Sequence, residues 1–222
     1  MIALISDIHG NYVALKEVLG AIDGMGISDI YCLGDVVGYY PQVNECCDEL
    51  RRRNVRSVMG NHDWYMVSGT GCPRSKSVND CLRYQRKVIS CENLRWLAAQ
   101  PVWREAEGIG MVHGGWGNPV DEYLDPPGDD YFAAIDGMYF ASGHCHVQRV
   151  VDLGGKTYCN PGAVGQPRDG DSRAAFAVFD NGKFLCHRVA YDHVEVGRLM
   201  EKAGFCGYYY GCLRDGSRNL HW

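Results

Sequence analysis

The chain has little that would tie it to a membrane or to nucleic acid. Nowhere in its 222 residues does an apolar run approach the roughly 18 residues that a spanning helix needs, so no segment is expected to cross a bilayer. The start, MIALISDIHG, meets its first charged residue at Asp7. With neither a basic opening nor a long apolar core it is not expected to act as a secretion signal, and the expected location is cytoplasmic. Positive charge is scarce too: 22 Lys and Arg face 27 Asp and Glu, a net charge of −5. No basic field is available to hold a nucleic-acid backbone, so nucleic acid is disfavoured as the main partner, although a small nucleotide is not. The single basic cluster, Arg51, Arg52 and Arg53, closes an apolar-periodic segment, where cations suit a helix C-terminus. CxxC pairs are absent as well. The eleven cysteines are odd in number and irregular in spacing, which excludes a zinc or disulfide framework and leaves most of them as small apolar filler.

What is present begins with core-forming material. A hydrophobic content of 46% is enough for one continuous core, and residues 1–222 are expected to form a single domain. The run IALI (2–5) is too short for a helix and reads as a buried strand. It stops at SDIHGN, where Asn11 can cap a helix carrying Tyr12, Leu15, Leu19 and Ile22 on one face and ending at Gly24 to Gly26. DIYCL then leads to Gly34 and Asp35, a helix is expected from about Gln42 to Arg53, and the strand VRSVM leads to GNHD. The first 63 residues thus read as a βαβαβ unit whose polar residues collect after the strands. A helical stretch is expected over about 75–99 in two pieces, and short strands follow: VWREAEG, IGMVHGG, MYFASGHCH, RVVDLGG, KTYCNPG and AAFAVFDNGKFLCHRVAY. Asn-Gly in FDNGKF suits a type I′ hairpin turn. Asp192 opens a last helix that ends at Gly204. The aromatic, glycine-rich tail 205–222 carries no assignable pattern.

Each of these strand ends delivers a potential metal ligand: Asp7 and His9, Asp35, Asn61, His113, then His144 and His146. Singly, each has a plain reading, such as a helix cap for Asp7 or Asp35, a turn residue for Asn61 or a hydrogen-bonded core histidine for His113. Seven donors on five loops make a shared metal centre the better reading. Imidazole and carboxylate without thiolate suit manganese, iron or zinc. Seven ligands suit two such ions sharing a carboxylate, a pair that can clamp an in-line displacement at phosphorus and convert a bridging water to hydroxide near neutral pH. Cys145, between two histidines, is expected to point away by the period-two rule. Arg168 is a candidate phosphate contact, since guanidinium grips phosphate bidentately. Among the aromatics near the motifs, Tyr39, Tyr40, Trp64, Trp116 and Tyr123 could stack on a base, though packing is the commoner role.

The ordered set DIHGN, LGDVVGY, GNHD, VHGG and GHCH resembles the calcineurin-like metallophosphoesterase superfamily. GDVVGYYPQVNEC, NPGAVGQPRDGD and RVAYDHVE resemble its branch of small prokaryotic-type phosphodiesterases and phosphatases, some acting on diadenosine tetraphosphate. The resemblance covers residues 1–204. It implies an α+β fold, a two-sheet β-sandwich flanked by helices with the site on loops at one edge. It implies one metal on Asp7, His9 and His146, a second on Asn61, His113 and His144, and Asp35 between them. His62 is implied to stay off the metals, to stabilise charge on the phosphate and to protonate the leaving oxygen. It implies hydrolysis of a phosphodiester, phosphoanhydride or phosphomonoester by a metal-bridging hydroxide, and the implied partner is a small phosphorylated substrate, a nucleotide such as a dinucleoside polyphosphate. Phosphoprotein phosphatases of the superfamily continue the second motif as GDxVDRG. Here Gly38 replaces the Asp that orients the catalytic histidine, and no Arg follows, which weakens a serine/threonine phosphatase role. Relatives more often have Gly where Tyr40 stands and Ser where Ala163 stands. A non-catalytic interaction scaffold of the same fold is a further alternative, against which the complete ligand set argues.

Overall fold

The computed structural model describes residues 1–128 and 130–217. Ile2–Ile5 forms strand β1, fully buried, and its two faces divide the core between them. Ile2 and Leu4 enter one apolar cluster with Ile109, Met111 and Ala141, whereas Ala3 and Ile5 enter another with helix residues Leu15, Val18 and Leu50. The pleat alone accounts for this split, since successive side chains of a strand point to opposite faces.

Around β1 the first sheet is assembled from β2 (Ile30–Cys32), β3 (Arg56–Ser57), β9 (Ala174–Asp180) and β10 (Lys183–Val189), in the order β10-β9-β1-β2-β3. The second sheet combines β4 (Trp103–Ala106), β5 (Ile109–Val112), β6 (Tyr139–Ala141), β7 (Arg149–Asp152) and β8 (Thr157–Asn160), in the order β4-β5-β6-β8-β7. Helices α1 (Tyr12–Gly24) and α2 (Val43–Arg52) follow β1 and β2, and α3 (Asn61–Ser68), α4 (Lys76–Val88) and α5 (Cys91–Ala98) follow β3. The last helix, α6 (His193–Lys202), follows β10. This is the expected α+β sandwich of two sheets flanked by helices.

Local sequence accounts for most boundaries. Asn11 accepts the Ala14 N–H at 3.1 Å to start α1, and Asp192 accepts that of Glu195 at 3.0 Å to start α6. Lys183 pairs with Asp180, and Asn181 and Gly182 turn the hairpin at φ of 49° and 77°, the left-handed values that a type I′ turn needs. The 75–99 stretch is two helices, α4 and α5, each capped by a serine: Ser75 takes the Val78 N–H and Ser90 that of Asn93. Strand VRSVM shortens to β3, because Gly60 already stands at the N-cap of α3.

Arg51, Arg52 and Arg53 end α2 in ion pairs with Glu92, Glu49 and Asp23, as solvated helix-end cations do. None of the eleven cysteines is in a disulfide and eight are buried, so the filler reading holds for most of them. Burial pushes the thiols of Cys46, Cys47 and Cys159 well above the ordinary range. The tail, unreadable from sequence, forms two 3-10 turns over Gly207–Tyr209 and Gly211–Arg214. Its Leu213 is buried with Tyr40, Val196 and Met200. Among the described residues no helix is long and apolar enough to cross a membrane.

Candidate metal centre

β1 and β2 run parallel, as do β2 and β3, β5 and β6. Their C-terminal ends therefore open on the same edge of the sandwich, and the loops beyond them carry all seven candidate ligands. Asp7, His9, Asp35, His144 and His146 adopt left-handed backbone, with φ between 54° and 65°, a conformation that costs a non-glycine residue of order 1–3 kcal/mol. The loops are fastened to one another in compensation. Asp7 N–H donates to Gly34 O at 3.0 Å and His9 N–H to Asp35 O at 2.9 Å, while Gly143 N–H donates to His113 O at 2.9 Å. Asp7 Oδ2 accepts the His144 N–H at 3.1 Å, and Asp35 Oδ1 accepts the His62 N–H at 2.8 Å.

Side chains gather in two adjoining groups. Asp7, His9 and His146 bring one ligand atom each within 4.8 Å of one another, Asp35, His113 and His144 do the same, and His9, Asp35 and His62 link the two. His146 Nε2 stands 3.2 Å from Asp7 Oδ1, and His113 Nε2 stands 3.3 Å from Asp35 Oδ2 and 3.1 Å from Asn61 Oδ1. Two donors at right angles, each about 2.1 Å from one ion, stand about 3 Å apart.

Histidine tautomers supply the chemical test of fit. The Nδ1 atoms of His9, His113 and His146 lie 2.9, 2.7 and 2.6 Å from the carbonyl oxygens of Val37, Leu33 and Gln166. A carbonyl only accepts, so each Nδ1 carries hydrogen, and a neutral ring then presents a bare Nε2 to the centre. Burial keeps His9 well below the ordinary histidine range and lowers His146 as well, which opposes a proton on either Nε2. Their Nε2 atoms face each other at 3.1 Å, and with both rings neutral the contact is lone pair to lone pair, an arrangement that asks for a cation. Asp7 Oδ1 and His144 Nε2 are buried without a well-directed hydrogen bond among the described residues, their nearest polar neighbours being His146 Nε2 at 3.2 Å and Asp121 Oδ1 at 3.3 Å. The donor set fits transition-metal binding.

Electrostatics are consistent with that reading. Burial opposes the charge on Asp7 and Asp35, yet the imidazoles of His146 and His113 hold both carboxyls below the ordinary range. Burial likewise opposes charge on His113, but Asp35 prevails and pushes it up to about 10. A proton there does part of what a cation would do. Burial lowers His62 to about 4.

The three polar residues of GNHD divide. Asn61 turns its oxygen to the His113 side of the centre. Asp63 reaches neither metal group nor His62: Oδ1 accepts from Val36 and Val37 N–H at 2.9 and 3.1 Å, and Oδ2 from Gly60 N–H at 3.0 Å. It ties the GNHD turn to the GDVVG loop. Burial and the Asp35 charge push Asp63 up to about 7 against these donors. Asp63→Ala would leave three buried N–H groups without an acceptor, at about 1–3 kcal/mol each. A urea titration is expected to show a loss of about 3 kcal/mol, and a loss below about 1 kcal/mol would contradict this role.

His62 has no polar partner on its Nδ1 among the described residues. A Cβ at Gly38 would lie 2.5 Å from that atom and 2.4 Å from His9 Nδ1. Position 38 therefore does face the histidine, as the Asp of GDxVDRG implies, but here glycine admits the ring by leaving space. Aromatic packing orients it instead, with the rings of His9, Tyr39 and Tyr65 at 4.7, 5.1 and 6.1 Å. Cys145 points off the centre as expected, its thiol 3.3 Å from Leu124 O.

Two rim residues, Asp121 and Arg74, carried no readable signal in the sequence. Asp121 Oδ1 stands 3.3 Å from His144 Nε2, and Arg74 pairs with Asp121. They come from loops with no period and meet only in the folded chain. Of the candidate stacking aromatics, Tyr123 lies on the His144 ring with centroids 3.9 Å apart. Tyr39, Tyr123 and Arg168 line the hollow above the centre. Tyr40 is buried, Trp64 is exposed, and Trp116 packs against Phe132 and Phe140.

A parallel-strand edge carrying linked His and Asp groups in this sandwich defines a metallophosphoesterase. The calcineurin-like phosphoesterase superfamily domain matches residues 1–183, and the chain belongs to that superfamily. It is 37% identical over 216 residues to an uncharacterised protein of Methanocaldococcus jannaschii, covering 86% of this chain and 88% of that one. A metallophosphoesterase from Sphaerobacter thermophilus superposes with a TM-score of 0.83 at 32% identity, over 97% of this chain and 98% of the other. A symmetrical bis(5'-nucleosyl)-tetraphosphatase of Paracidovorax citrulli is 33% identical over 119 residues, 50% of this chain and 42% of that enzyme. The chain is a metal-dependent phosphoric ester hydrolase.

Proposed function

We propose that the chain hydrolyses a phosphodiester or phosphoanhydride of a nucleotide at a pair of transition-metal ions, manganese, iron or zinc. Asp7, His9 and His146 hold one, Asn61, His113 and His144 the other, and Asp35 stands between. The observation that carries this reading is the pair of bare Nε2 atoms of His9 and His146 at 3.1 Å, beside the carboxylate oxygen of Asp7. Bound there, the metals would supply Lewis-acid charge for the phosphoryl oxygens and lower the pKa of a water.

The protein's own groups do the rest. His62, turned to the hollow, stabilises charge on the phosphoryl group and, with the bound phosphate's charge opposing the burial that lowers it to about 4, gives a proton to the leaving oxygen. Arg168 holds a phosphate oxygen. Tyr39 and Tyr123 wall the hollow and restrict water. A nucleotide is favoured by the likeness of half the chain to dinucleoside tetraphosphatases. The experiment is a steady-state comparison, with manganese, of diadenosine tetraphosphate, a bis-aryl phosphodiester, a monoester and a phosphopeptide. The nucleotide is expected to give the highest kcat/KM. A preference for the phosphopeptide would favour the protein-phosphatase alternative, and no turnover of any would favour a scaffold.

A further inference from the structure

Beside the reaction centre lies a second cavity, of about 210 Å³, lined by Tyr39, Ser75, Ser77, Arg168, Tyr209 and Cys212 among others. The hollow over the metal ligands is smaller, about 80 Å³, and shares Tyr39, Ser75 and Arg168 with it. Arg168 stands on the boundary. Its Nε donates to Gln166 Oε1 at 3.0 Å and its Nη2 to Tyr39 OH at 3.0 Å, with the guanidinium carbon 5.6 Å from the centre of the Tyr39 ring. None of these partners is a carboxylate. Nη1 makes no hydrogen bond to any described residue, so two N–H groups of a fixed cation remain to be used.

Around it the lining is rich in hydroxyls and, among the described residues, carries no acid. Ser75 and Ser77 open helix α4, with their oxygens 3.0 Å apart, at the end where the helix dipole favours negative charge. The far wall is the C-terminal tail: Tyr209 is fixed through its hydroxyl to Asp80 at 3.0 Å, and Cys212 is buried. The volume falls below the roughly 300 Å³ from which drug-sized ligands are accommodated, which leaves no room for a whole nucleoside. A compact anion matches both the size and the donors.

We propose that this cavity is a second anion subsite, closed by the C-terminal tail, which takes the phosphoryl group next to the one being cleaved. The preferred substrates then carry linked phosphates, and Arg168 spans the two groups. This inference rests on the phosphoesterase reading for the position of the first phosphoryl group. The tail acquires a role in consequence, because Tyr209 and Cys212 make the wall that separates a linked-phosphate substrate from solvent.

Binding of two inert probes tests it. Methylphosphonate and methylenediphosphonate differ by one phosphonate group, and neither has an ester or anhydride bond to break. Calorimetric titrations of the manganese-loaded chain at fixed free manganese are expected to show the diphosphonate binding at least about tenfold tighter. Ser77→Phe, and Ser77→Leu in case the larger ring disturbs α4, fill the cavity without touching a metal ligand. Both are expected to shrink the advantage to about threefold or less. An advantage absent from the wild-type chain, or undiminished in both variants, overturns the inference; the latter result would mean that the metals alone chelate the second group. The titration reads binding without turnover, so failure of the phosphoesterase reading would appear separately, in the substrate comparison.

Discussion

His62→Ala is expected to lower kcat by about 10² to 10⁴-fold while both metals stay bound. The histidine's Nε2 lies 3.9 Å from Asp35 Oδ2, which places the ring at the edge of the metal groups, whereas its backbone N–H holds Asp35 Oδ1 at 2.8 Å. Substitution removes the ring and keeps that backbone bond, so Asp35 should not move. If the ring protonates the leaving oxygen, the loss should depend on the leaving group. An alkoxide, which needs the proton, should suffer most, and p-nitrophenolate, which leaves unaided, least. Elemental analysis and a leaving-group series measure the two parts separately. A variant stripped of metal would make His62 a ligand, and an equal loss for all leaving groups would restrict it to stabilising charge on the phosphoryl group.

The site was more legible than the chain that carries it. All seven candidate ligands sit where short buried strands stop, and strand ends are visible because IALI and IGMV break abruptly into polar residues. Parallel pairing of β1, β2 and β3, with α1 and α2 as the crossovers, then brings loops distant in sequence onto one edge. Helix α3 escaped sequence reading because its first turn is GNHD, polar residues that also suit a loop. Only Asp63 at its third position, accepting the Gly60 N–H, and Gly69 in left-handed backbone mark its ends. What orients His62 was also hidden. The answer is the rings of His9, Tyr39 and Tyr65, which no local pattern associates. The rim formed by Arg74, Asp121 and Tyr123 and the cavity wall formed by the tail depend wholly on tertiary contacts, where spacing carries no information.

Asp35→Asn, with Asp35→Ala beside it, should have the largest effect: loss of metal occupancy together with activity. Asp35 Oδ2 is within 3.3, 3.7 and 3.9 Å of the Nε2 atoms of His113, His9 and His62, so one carboxylate serves both ligand groups. Asparagine keeps the shape, and its amide oxygen can still accept the His62 N–H. Alanine loses that bond as well and leaves a buried N–H unpaired, at about 1–3 kcal/mol. The asparagine variant therefore isolates the charge: it should fold with little loss of stability yet bind metal at least about 10 to 100-fold more weakly. With Asp35 neutral, the proton that it holds on His113 is released more readily, so the metal-free variant should also show a lower His113 pKa than the wild-type protein, the direction opposite to the wild-type shift to about 10. Metal titration followed by plasma emission, with imidazole resonances followed by NMR in the metal-free state, would read both effects. Two metals retained at wild-type affinity in Asp35→Asn would remove Asp35 from between the two groups.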